Sequence, residues 1–104
     1  MNLRTVYSEY IKERNVQGSR KASSYIRALD LLVPILAKPK SKFAHFSNLW
    51  EIQSSTQILA LYEYVLEQQR LGEAGLFIGE KPTSYWRNRF YSAALKSYVQ
   101  FLVS

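Results

Sequence analysis

Apolar residues recur at helical spacing along nearly the whole chain, and that pattern excludes most architectures. Val6, Tyr7, Tyr10 and Ile11 form one stripe, predicting a short amphipathic helix over residues 3–14 that ends near Asn15 and Gly18. Gly18-Ser19 leads into a second stripe of Tyr25, Ala28, Leu29, Leu32, Ile35 and Leu36. Pro34 falls inside it, where a missing N–H and a crowding ring predict a kink or a break. Lys38-Pro39-Lys40-Ser41-Lys42 reads as a basic, proline-broken loop. Phe43, Phe46, Leu49, Trp50 and Ile52 then predict an irregular or one-turn helical connection that plugs the core.

Ser54-Ser55-Thr56-Gln57 has the spacing of a capping box, so a third helix starts there with Ile58, Leu61, Tyr62, Val65 and Leu66 on one face. Arg70 suits its C-terminal dipole and Gly72 is its stop. Residues 73–83 carry Gly75, Gly79 and Pro82 around Leu76-Phe77-Ile78 and read as a loop, with room for a short extended piece. Thr83 or Ser84 caps a last helix whose stripe is Tyr91, Ala94, Leu95, Tyr98 and Leu102. With no strand pattern, the expectation is all-α: a compact bundle of four to five helices forming a single domain over residues 1–104.

An apolar share of 47% is ample for a folded core. The chain has no cysteine, which removes disulfides and thiolate metal sites and fits a reducing compartment. No apolar run approaches the roughly 20 residues of a membrane span. Met1-Asn2-Leu3-Arg4-Thr5 lacks the order of a secretory signal, so a cytoplasmic protein with no membrane partner is expected.

Charge is unevenly distributed. Residues 1–42 hold nine Lys/Arg against three acids; residues 43–80 hold five glutamates against Arg70; from Lys81 onward there are four cations and no acid. If the two ends fold side by side, their fields add to one basic face with the acidic middle turned away. Solvated helix faces with no partner are the plain alternative.

Catalytic candidates are few. His45 is the only histidine, and without cysteine or a second histidine it anchors no ordinary zinc site. Glu63 and Glu67 share a helix face, an arrangement that more often serves solvation than acid–base work. No glycine-rich phosphate loop is present. Neither a cofactor nor a metal is implied, and no enzyme activity is expected of this chain.

Binding candidates are better. Arg20, Lys21 and Arg27 fall in the first turns of the second helix beside Ser23 and Ser24, cations and hydroxyls suited to phosphate oxygens. Lys40 and Lys42 alternate in a loop that can follow a backbone groove or simply solubilise the chain. In Tyr85-Trp86-Arg87-Asn88-Arg89-Phe90-Tyr91, cations sit beside flat rings; Arg89 and the later Lys96 are seven apart on one helix face. Tyr85 and Trp86 either stack on a base or sugar, or pack into the core.

Three segments also carry a family likeness: Ser24-Tyr25-Ile26-Arg27-Ala28-Leu29, Leu61-Tyr62-Glu63-Tyr64-Val65, and Ser92-Ala93-Ala94-Leu95-Lys96-Ser97-Tyr98-Val99-Gln100-Phe101-Leu102. Together, over about residues 20–103, they resemble the N-terminal helical region that precedes the nuclease domain in some HNH-type restriction endonucleases. To a lesser degree they look like the core-binding domain of phage-type integrases. The resemblance implies a helical DNA-binding module. The chain departs from the family in having no His-Asn-His constellation, so any nuclease chemistry belongs to a module outside it.

The sequence therefore supports a non-catalytic nucleic-acid-binding domain. It is expected to contact phosphates of duplex DNA through Arg20, Lys21, Ser23, Ser24, Arg27, Lys40, Lys42, Arg87, Arg89 and Lys96, with Tyr85 and Trp86 at a base or sugar. The alternative is a helical protein–protein interaction module or homodimer, docking through rings such as Trp50, Phe77 and Trp86.

Overall fold

The computed structural model of this protein describes residues 3–14, 21–43, 49–81 and 83–103. Expectations resting on Gly18-Ser19, Arg20, His45 and Phe46, and on the side chains of Lys21 and Ser23, lie outside the described residues. The described chain is all-α, as its periodicity predicts: α1 (Leu3–Arg14), α2 (Lys21–Leu36), α3 (Ser55–Leu71), α4 (Thr83–Arg87) and α5 (Phe90–Val103), with 3-10 turns at Leu49–Glu51 and Gly72–Ala74.

Each stripe reaches the core. Tyr7 and Ile11 from α1, Leu29, Leu32 and Leu36 from α2, and Ile58, Leu61 and Val65 from α3 are buried. They close around Tyr91, Ala94, Leu95 and Tyr98 of α5, all fully buried. α5 is the shared partner: it packs most extensively on α3, next on α2, and less on α4 and α1. Each aliphatic side chain so buried stabilises the fold by about 1.5–3 kcal/mol, which makes α5 the element the others depend on. The product is a flattened body of 37 × 28 × 17 Å.

Local signals set the ends of α3. Ser54 adopts an extended conformation and its hydroxyl accepts the Gln57 N–H at 3.3 Å, the N-cap half of the expected box. Gly72 ends the helix at φ +60°, where a side chain would be strained, and its N–H reaches the Gln69 carbonyl. Across the interface with α5, the Gln69 amide donates to Ser92 Oγ at 2.8 Å and its carbonyl oxygen accepts the Ser92 N–H at 3.3 Å. Gln69 is thereby satisfied although buried.

One expectation is corrected, and two that left alternatives open are narrowed. Pro34 does not break α2; the helix runs two residues further and closes with Ala37 N–H to the Val33 carbonyl at 3.2 Å. A proline this close to a helix end removes only one backbone bond from the last turn. The final helix is two helices, because Asn88 and Arg89 form a turn and Arg89 takes φ +58°. Residues 73–81 form the expected loop, with a 3-10 turn through Ala74 and turns beyond it but no strand.

Trp50 closes the core from the Leu49–Glu51 turn. Its ring lies 6.0 Å from Tyr7 and 5.4 Å from Tyr98, edge-on to the latter. Tyr7 meets Tyr98 edge-on at 5.1 Å and donates its hydroxyl to Ser97 Oγ at 2.9 Å. This end of the molecule is thus an aromatic cluster, tied to α2 by the Trp50 indole N–H, which donates to Asp30.

Candidate nucleic-acid interface

Four-residue spacing on a helix places Arg4, Ser8 and Lys12 along one face of α1. Opposite them, α2 presents Ile26, Arg27 and Asp30, and the six side chains line an open groove of about 390 Å³. Among the described residues, three cations thus face one carboxylate. That carboxylate is already engaged: Asp30 Oδ2 accepts Arg4 Nη2–H at 2.9 Å and Nε–H at 3.2 Å, and Oδ1 accepts the Trp50 indole N–H at 2.9 Å. The pairing holds the Arg4 guanidinium further into its charged form. Arg27 and Lys12 carry no ion pair to a described residue, and both are exposed. Chemically, the groove offers ammonium, guanidinium and hydroxyl donors to an anion.

Of the expected contacts on α2, Arg27 lines this groove and Ser24 is half-buried nearby in sequence. Arg4, Ser8 and Lys12 were not among the expected residues, although their spacing is plain in the sequence. The remaining expected cations have other surroundings. Lys40 shares a hollow with Gln68, Glu73 and Ile78. Its neighbour Lys38 pairs with Glu80. Lys42 is exposed with its ammonium 5.9 Å from the Phe43 ring centre, and its backbone N–H donates to the Tyr64 hydroxyl at 3.0 Å.

Arg87 lies 5.4 Å from the Trp86 ring and 3.6 Å from Glu73. Arg89 lines a hollow of about 270 Å³ with Glu63, Leu66, Glu67 and Arg70. These C-terminal arginines therefore meet the middle glutamates that were expected to turn away from them. Lys96 is exposed on α5, but Arg89 precedes that helix, so the shared-face argument for the pair does not hold.

The rings also differ from expectation. Trp86 is 5% exposed and donates its indole N–H to the Glu80 carbonyl at 2.9 Å, so it packs in the core and offers no face to a base. Tyr85 is half-buried against Phe90 at 5.0 Å and Tyr91 at 5.7 Å. Phe77, named as an exposed docking ring in the protein-interaction alternative, is fully buried and stacks on Tyr91 at 5.3 Å.

Glu67 accepts both Nε–H and Nη2–H of Arg70, which holds its carboxyl below the usual carboxylate range. A carboxylate whose charged form is favoured in this way is a poor proton donor at neutral pH. Among the described residues, no group of three or more His, Cys, Asp or Glu is placed to hold a metal ion. No helix of the described residues is long and apolar enough to cross a membrane. No family model, curated protein or solved structure matches the chain.

Proposed function

We propose that this chain is a non-catalytic nucleic-acid-binding domain that docks phosphates in the α1–α2 groove, with Lys12 and Arg27 as primary contacts and Arg4 and Ser8 as supporting donors. One observation carries the reading: among the described residues, three cations line a single groove, and the one carboxylate there is already bonded to Arg4 and Trp50. A net charge of +6 favours the approach of a polyanion from a distance. Arg20 and Lys21 precede Arg27 by seven and six residues and are the next cations to test. Duplex DNA, and a role as the recognition module of a restriction-type endonuclease, follow from the family resemblance.

A salt titration of binding to a labelled duplex tests the proposal. Neutralising about three phosphates gives a slope of log K against log salt near −3 on B-DNA. Reversing charge at Lys12 and Arg27 together is expected to lower affinity by at least about tenfold at low salt. The same reversal at Arg87 and Arg89, which already face glutamates, is expected to change it far less. A flat salt response in the unaltered protein refutes the electrostatic mechanism.

A further inference from the structure

An anion-binding groove gains nothing electrostatically from a carboxylate in its wall, yet Asp30 sits there. Its bonds give it another use. Trp50, wedged against Tyr7 and Tyr98 in the aromatic cluster, donates its indole N–H to Asp30 Oδ1 at 2.9 Å. The other oxygen takes the Nε–Nη2 edge of Arg4 at 3.2 and 2.9 Å. A continuous set of contacts thus runs from the core through Trp50 and Asp30 to a guanidinium in the groove wall.

Arginine is a long, rotamer-rich side chain, and Arg4 is 48% exposed; left alone it would lose much of that freedom on meeting a phosphate. Two hydrogen bonds to a fixed carboxylate set the plane of the guanidinium before any ligand arrives. Resting on the nucleic-acid reading of the groove, we infer that Asp30, anchored by the Trp50 indole, is a positioning residue that pre-orients Arg4 for a phosphate of the backbone. Asp30 acts through Arg4, and the Trp50 ring reports occupation of the groove.

Charge and orientation make opposite predictions, which separates them. Asp30→Asn raises the net charge of the groove, so a bystander carboxylate predicts tighter binding of a labelled duplex. Positioning predicts weaker binding, by about tenfold, since a charge-assisted pair is lost. Trp50→Phe keeps an aromatic, though smaller, ring and removes the N–H, and is expected to weaken binding by several-fold with the salt slope unchanged. In an Arg4→Ala background, Asp30→Asn is expected to strengthen binding, because only its charge remains to act.

Trp50 fluorescence supplies a second readout: the emission change on adding duplex is expected to vanish in Trp50→Phe, since Trp86 is buried away from solvent. Circular dichroism of each variant establishes that it folds. Tighter binding by Asp30→Asn, or an equal loss with and without Arg4, overturns the inference while leaving the groove as the binding surface. Absence of salt-dependent binding by the unaltered protein removes the groove reading itself, and this inference with it.

Discussion

Arg89 holds the turn between α4 and α5 in a conformation that costs a side-chain-bearing residue about 1–2 kcal/mol. Its φ is +58°, and among the described residues the other positive values belong to glycines. The turn survives because its carbonyl accepts both Ser92 Oγ–H at 3.0 Å and Ala93 N–H at 3.2 Å. Both bonds use backbone that glycine also has. Arg89→Gly is therefore expected to raise unfolding free energy by up to about 1 kcal/mol, read as a higher urea midpoint with an unchanged slope. A lower midpoint would show that the arginine's setting beside Glu63 and Glu67 outweighs the strain. Ser92 works in the other direction. Truncating it to alanine removes the acceptor of the buried Gln69 side-chain N–H while leaving the backbone bond to its carbonyl oxygen, and a loss of about 1–3 kcal/mol is expected in the same measurement.

At the scale of elements, α3 is the helix whose ends are most plainly written in the chain. Ser54→Ala removes the acceptor for the Gln57 N–H and is expected to cost about 0.5–1 kcal/mol, with faster amide exchange confined to the first turn. Stripes of this kind were legible because a buried helix face must repeat every three or four residues, and α2, α3 and α5 each do. The α4–α5 break was not legible. Tyr85, Trp86, Phe90 and Tyr91 keep an apolar pattern running through Asn88-Arg89, and neither glycine nor proline marks the turn. The fate of Trp86 was open for a related reason, since an indole suits a core as well as a base stack; its bond to the Glu80 carbonyl depends on how the segment just ahead of α4 folds back. The groove was half legible: Arg27 was visible, and so was the Arg4, Ser8, Lys12 spacing, but only tertiary packing sets α1 beside α2.

On the scale of the whole molecule, the core is unusually rich in phenols, and that ties its stability to alkaline pH. Burial pushes the Tyr98 hydroxyl up to about 12, and does the same for Tyr91 with a smaller contribution from Tyr85 and opposition from Arg27. Burial also raises Tyr7 despite its bond to Ser97. An unfolded tyrosine ionises near 10, so the folded state prefers the protonated phenol. This contribution is fully present below about pH 10 and is lost as pH rises toward 12, at up to about 1.4 kcal/mol per pH unit for each group. Urea unfolding across that window is expected to show the fall, while stability between neutral pH and about 9 is insensitive to these groups. Tyr98→Phe isolates the cause. Among the described residues the Tyr98 hydroxyl has no hydrogen-bond partner, so removing it is expected to leave stability at neutral pH equal or higher. Above pH 10 the variant's stability should decline less steeply than that of the unaltered chain, by the contribution of one phenol. Parallel declines in the two proteins would mean that alkaline unfolding starts elsewhere, with loss of lysine charge at Lys38–Glu80 the next pair to examine.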